Sequence, residues 1–388
     1  MLHHLRLFFI NPRSFAIGIS FFVLGFLFGN FATLIPHIKS SFEISDGILG
    51  LMLLCPPLGA MTFNPVAAIL IRKYSAKSMT IFGMINISLW YALPILVNDI
   101  ELLPFALVMV GVSMTTLNIS VNTLATELEK LENINILSTC HGLFSIGLML
   151  GALMRSLTLI IAIGPEVHML MMSSATIALT LYFRTKILQI PLRVPERVES
   201  KRSFGLIIPK GMLLTVILIS ICINVTEGAM ADWTAVYMKE IVKTSPYFVG
   251  WGLFGYSAAM ATGRLFGDSI IPMYGNSKVL TYGAVLAFFG VLVVILFPYT
   301  YVAIGGFALI GLGVSCGSPI LYASASRYPD LPEAGGLAIM NTYAMAGFLV
   351  GPVIIGFISD LTSLSVAFGF IAMLSVIWFV KAARSKIG

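Results

Sequence analysis

Residues 224–238 read NVTEGAMADWTAVYM. They close an apolar run from about residue 211 to residue 237, long enough to cross a bilayer. Two carboxylates, Glu227 and Asp232, stand inside that run. A carboxylate in hydrocarbon costs at least about 2.5 kcal/mol on insertion scales, so it is kept where it has a task. The reading that follows is a membrane scaffold built around a polar centre.

The rest of the chain agrees. It has 388 residues, 58% of them apolar and only 10% charged, and its mean hydropathy is +0.97. Soluble domains carry about 25% charged residues. The net charge of +6 comes from cations scattered singly over short loops, with no basic stripe and interleaved aromatics; nucleic acid is not an expected partner. Cys55, Cys140, Cys222 and Cys316 are far apart and form no CxxC pair, so they read as small apolar side chains. The amino-terminal MLHHLRLFFINPR runs straight into the first apolar run and reads as the start of a retained span.

Twelve apolar runs can be counted, at about 14–37, 47–71, 78–97, 103–126, 138–163, 168–190, 211–237, 246–270, 278–298, 301–323, 334–358 and 362–381. Each is about 20 residues long without alternating polarity, so each predicts a helix. The longest polar stretch is PLRVPERVESKRSFGLIIPK, residues 191–210, with seven charged residues and two early prolines. It predicts a linker between a bundle at 1–190 and a bundle at 211–388. With both termini in the cytoplasm, nineteen Lys and Arg fall on that side. Lys39, Lys239 and Lys243 fall outside, and Arg155 within a span. That bias predicts cytoplasmic termini and linker.

A shift of 200 residues aligns Lys39 with Lys239, Gly50 with Gly250, Thr62 with Thr262, Gly83 with Gly283, Gly147 with Gly347 and Gly151 with Gly351. One offset over five spans predicts an internal parallel repeat. Span 4 carries Thr115, Asn118, Asn122 and Thr126 on one helical face. The shift matches them to Ser315, Ser318, Tyr322 and Ser326 in span 10. Span 1 adds Asn30, Thr33 and His37. Such stripes line a substrate cavity or tie helices together.

Glu227 is the expected proton-coupling group, with Asn224 one turn away as a hydrogen-bond partner; a structural bond to a neighbouring helix is the other reading. Asp232 beside Trp233 is a second proton candidate or an interfacial carboxylate. His141 could join proton transfer or cap a helix start. Arg155 either binds an anionic substrate in the cavity or snorkels to the outer end of span 5. Trp251 and Tyr256 in span 8 could stack on a sugar or simply pack. Glu127, at the inner end of span 4, is a candidate latch for loop cations. No HExxH, GxSxG or phosphate loop appears, so neither catalysis, a metal nor a cofactor is expected.

Six plus six spans with a basic central loop and a parallel repeat resemble the major facilitator superfamily. The piece GRLFGDSIIPMYGNSK, with Gly263, Arg264, Gly267, Asp268 and Gly275, resembles that family's loop motif. The matching NPVAAILIRKYSAKS of the first half keeps Arg72, Lys73 and Lys77 but lacks the glycine and the aspartate. Spans 4 and 5, with Asn118, Asn122, Glu127, His141, Gly147 and Gly151, and EGAMADW in span 7 resemble the fucose-permease-like sugar:proton symporters and their bacterial relatives. The carboxylate that fucose permeases carry in span 1 is absent here.

The resemblance implies an all-α, twelve-span protein of two six-helix bundles in a bacterial inner membrane. It implies a monomer working by alternating access on a small-molecule substrate and protons. The site would be lined by spans 1, 4, 7 and 10 with help from 5, 8 and 11, the last including Asn341. Arg264 and Asp268 would latch the inner gate. The expected function is proton-coupled uptake of a small polar solute, sugar-like or a carboxylate. Proton-antiport export of drugs or metabolites is the alternative, and a non-transporting receptor a third reading.

Overall fold

The structure, a computed structural model, describes residues 8–132, 134, 136–191, 211–326 and 333–385; the side chains of Asp268, Ser326, residues 333–338 and Asn341 lie outside the described set. So does nearly all of the expected linker at 191–210. Twelve helical spans follow in order: Pro12–Ser41, Asp46–Tyr74, Ala76–Leu96, Leu103–Glu132, Leu137–Ile160, Pro165–Leu188, Gly211–Glu240, Trp251–Tyr274, Asn276–Leu296, Thr300–Ala325, Glu333–Leu361 and Leu364–Arg384. They are called spans 1 to 12 here. Ten contain a stretch long and apolar enough to cross a membrane. Spans 6 and 8, each 24 residues long, fall outside that set among the described residues. The face of the molecule holding Pro12 and Arg384 is the terminal side. Connections alternate, so Ser41 and Glu240 lie on the opposite side.

Within the first six spans, span 1 packs on 5, span 2 on 4, and span 3 on 4 and 6. The second six repeat this scheme: span 7 packs on 11, 8 on 10, and 9 on 10 and 12. The 200-residue offset extends to backbone detail. Gly111 packs on the Pro56 carbonyl and Gly311 on that of Tyr256. Thr62 donates to Leu58 O and Thr262 to Ala258 O, both at 2.8 Å. Ser75 and Gly275 link spans 2–3 and 8–9 with the same left-handed backbone, φ 73° and 81°.

Two spans are broken where an unbroken run was expected. Span 2 is Asp46–Leu53 plus Cys55–Tyr74, and span 10 is Thr300–Val314 plus Gly317–Ser326. The sequence supplies the reason. Pro56 and Pro57 cannot donate back to residues 52 and 53, nor Pro319 to Ser315.

The two bundles meet tightly on the opposite side. Lys39 Nζ sits 2.5 Å from Asp46 Oδ1 and 2.7 Å from Glu240 Oε2. Lys239 donates to Pro36 O at 3.0 Å. Ser45 donates to Asp360 at 2.7 Å. Below them Gly50 lies against the Pro352 carbonyl, and Gly250 against that of Ala152. A side chain at either glycine would be driven into backbone. Toward the terminal side, the Cys55–Tyr74 half of span 2 has only Gly59 and Ala67 buried. The bundles are therefore sealed on the opposite side and separated along spans 2 and 11 on the terminal side.

Candidate functional site

Glu227 lies 16 residues after Gly211 and 13 before Glu240, near the middle of span 7. Its side chain is 15% exposed. Arg264 lies 13 residues into span 8, also mid-helix, with a side chain 17% exposed. Arg264 Nη2 stands 3.7 Å from Glu227 Oε2. That is an ion pair but not a close hydrogen bond. Arg264 Nη1 donates to Ser145 Oγ in span 5 at 2.9 Å. One guanidinium thus ties the second bundle to the first at the centre of the molecule.

Other polar groups gather around this pair. The Ser318 side chain lies beside the Glu227 carboxylate. Tyr256 and Tyr322 lie within electrostatic reach of Glu227. His141 lies within reach of Arg264, with its ring against Phe21. The Tyr256 side chain is buried, and its hydroxyl has no hydrogen-bond partner among the described residues. Glu227 Oε1 has none either.

On the separated side, Asn118 is exposed although it stands in the middle of span 4. Its Oδ1 accepts from Asn122 Nδ2 at 2.5 Å. An exposed amide pair at membrane depth is costly in lipid, so it marks the wall of a water-filled cleft. Tyr322 is also exposed. The site is therefore a half-buried ion pair at the head of a polar cleft.

Several expected residues lie elsewhere. Arg155 Nη1 donates to Ile163 O at 2.7 Å, in the loop beyond span 5, and Glu166 is within electrostatic reach. The snorkelling alternative describes this geometry, because a loop carbonyl satisfies the guanidinium nearer than the cleft does. Asn224 donates to Ser220 O at 2.7 Å, one turn back, rather than to Glu227. Asn30 is fully buried and donates to Phe26 O; Thr33 is 4% exposed and donates to Asn30 O. Both are walled in where spans 5 and 8 close on span 1. Thr115 is buried, and Ser315 packs on Gly263 and donates to Leu312 O. Trp251 packs edge-on against Phe248 and at a tilt against Phe254, at the opposite end of span 8. Asp232 is half-buried near Tyr91 of the first bundle, with no hydrogen bond or ion pair among the described residues.

The expected latch residues also differ. Arg264 belongs to the central pair and not to a loop, which leaves eighteen cations against three in the loop comparison. Glu127 pairs with Lys130 of its own helix at 3.6 Å. The side chains of Asp268 and Asn341 lie outside the described set. Ser145 and the Arg264 contact were not anticipated. The depth of Arg264 appears only with the helix bounds: the apolar run ends near residue 270, six residues beyond Arg264, whereas the helix runs from Trp251 to Tyr274 and puts the cation mid-span, where it is as informative as a carboxylate.

Known proteins share this architecture. A profile of the Major Facilitator Superfamily matches residues 17–241 and 212–385. An uncharacterized MFS-type transporter of Yersinia pestis is 31% identical over 363 residues, covering 92% of this chain and 91% of that protein. Membrane protein MosC of Rhizobium meliloti is 25% identical, covering 93% and 87%. Among solved structures, the nucleoside transporter NupG superposes with a TM-score of 0.72 at 13% identity, covering 97% of this chain and 100% of that one. FucP, in the outward conformation, gives 0.62 at 17% identity, covering 96% and 98%. From profile, sequence and fold together, the chain belongs to the major facilitator superfamily and is a multi-pass membrane transporter, not an enzyme.

Proposed function

We propose that the protein takes up a small polar solute together with a proton, with the Glu227–Arg264 pair as the coupling element and the terminal side facing the cytoplasm of a bacterial inner membrane. One observation carries the reading: a carboxylate and a guanidinium from neighbouring spans meet at mid-membrane, 3.7 Å apart, at the head of a polar cleft. The arrangement supports coupling because its charge state controls its own contacts. An ionised Glu227 neutralises Arg264; a protonated Glu227 leaves that cation unbalanced in a low-dielectric site. The cation bias supports the orientation, and a seal opposite the terminal side makes this state inward-facing. Neighbours described as a nucleoside transporter and as FucP favour a hydroxyl-bearing solute. The Asn118–Asn122 pair offers the donors and acceptors such a solute needs.

Alternating access then exposes Glu227 to one side at a time. Glu227→Gln mimics the protonated carboxyl. The expected result in proteoliposomes is loss of proton-driven accumulation with counterflow exchange retained. Accumulation at the parental level under a pH gradient would remove Glu227 from the coupling role, and Asp232 and His141 would be tested next.

A further inference from the structure

We propose that the central site takes a small carboxylate anion, held by Arg264, and that a proton on Glu227 is what frees Arg264 to hold it. The inference rests on the coupling role of Glu227 and adds a substrate class to it. Arg264 carries five N–H donors in a planar fork. Among the described residues it meets the Ser145 hydroxyl at 2.9 Å and the loosely held Glu227 carboxylate at 3.7 Å. A substrate carboxylate can accept two parallel bonds from such a fork, which a neutral hydroxyl cannot match.

The surrounding charges point the same way. Among the described residues, Tyr256, Tyr322 and His141 are the titratable groups that face this pair from spans 8, 10 and 5. None of them supplies a second fixed anion. With Glu227 ionised, the Glu227–Arg264 pair has no net charge. With a proton taken from water onto its carboxylate, the same pair carries one positive charge. One incoming monoanion restores neutrality, so proton and substrate enter as a neutral sum. Tyr256 adds a second, independent sign of a ligand. Its ring is 1% exposed, and its hydroxyl has no partner among the described residues. A buried unpaired donor beside a cation is a ready contact for a carboxylate oxygen.

The test is binding by the purified full-length chain, read as thermal shift and as isothermal titration. Each carboxylate is paired with a neutral partner of similar shape: gluconate with sorbitol, glucuronate with glucose, lactate with lactamide. At least one carboxylate is expected to bind ten-fold or more tightly than its partner, and more tightly at pH 5.5 than at pH 8. In Glu227→Gln that binding is expected to persist and lose its pH dependence, while His141→Gln leaves the pH dependence in place. Arg264→Gln is expected to abolish the preference for the anion, and Arg264→Lys to weaken it. Neutral partners binding as tightly as the carboxylates, or no carboxylate binding at all, overturns the inference. An anion preference that survives Arg264→Gln in folded protein does so too. The two readings fail separately. If Glu227→Gln both binds gluconate and accumulates it under a pH gradient, the coupling role falls and the anion site stands. If Glu227→Gln loses accumulation but the parent prefers sorbitol or glucose, coupling stands and the anion site falls.

Discussion

At the scale of single residues, Ser75 holds a conformation that suits glycine. Its φ is 73° and ψ 149°, a region costly for any side chain by about 1–3 kcal/mol. Gly275 occupies the same place in the second half without that cost. The Ser75 hydroxyl recovers a little by accepting from Ser78 N at 3.4 Å. A glycine gives up only a few tenths of a kcal/mol at such a cap. Ser75→Gly is therefore expected to raise the thermal midpoint of the purified protein by about 2 °C or more. Gly275→Ser should lower it. A fall on Ser75→Gly would show that the cap outweighs the strain. The missing glycine of the first-half loop was legible in the sequence, but its consequence was not, because Ser75 adopts the glycine conformation instead of abandoning the turn. Glu227 was legible because a carboxylate inside a span has few bland explanations. Its partner was not, because Arg264 groups with the loop motif GRLFGD until the helix bounds show its depth. Asn224 misled for a local reason: an asparagine inside a helix can satisfy itself on the carbonyl one turn back.

At the scale of elements, all twelve spans were legible from apolar runs, and the breaks in spans 2 and 10 were not. A proline placed mid-run is visible in sequence, but whether it kinks or splits a helix depends on what packs beside it; Gly111 closes on the Pro56 carbonyl at the break in span 2. The seal on the opposite side was also beyond the sequence. It assembles Lys39, Asp46 and Glu240 from spans 1, 2 and 7 and is a contact between bundles. Lys39 is 15% exposed and Asp46 13%, so the contact is partly shielded from salt. Lys39→Met removes the shared cation and leaves two carboxylates facing each other. Discounting for the exposed part of Glu240, the closed state should lose about 1.4 kcal/mol, roughly ten-fold in the open population. Thr33→Cys, placed where only 4% of the residue is exposed, reports that population in a background without the four native cysteines. Its labelling from the Lys39 side should quicken several-fold in Lys39→Met. An unchanged rate would mean that backbone contacts, and not the charges, close this side.

At the scale of the whole molecule, the repeat makes the interface between bundles nearly self-symmetric. Gly50 of span 2 meets Pro352 of span 11; Gly250 of span 8 meets Ala152 of span 5. At the 200-residue offset Gly50 is the repeat mate of Gly250, and Ala152 that of Pro352. The same backbone approach is thus used twice, once on each side of the pseudo-twofold axis. Two rigid bundles that tilt apart about an axis lying in the membrane plane must break both contacts together, because both lie on the sealed side. A side chain at either glycine acts on the same closed state, because in each case it meets a backbone carbonyl that cannot turn aside. Gly50→Val and Gly250→Val are therefore expected to shift the molecule the same way, toward the state open on the Lys39 side. Double substitution should add little, since one broken contact already releases the other. Thr33→Cys labelling from that side measures all three variants, with thermal stability as the control for folding. Effects that simply add on a free-energy scale would mean that the two contacts open independently and that the bundles bend rather than rock. Opposite signs would mean that one of the two glycine contacts is retained in both states and that the bundles pivot at it.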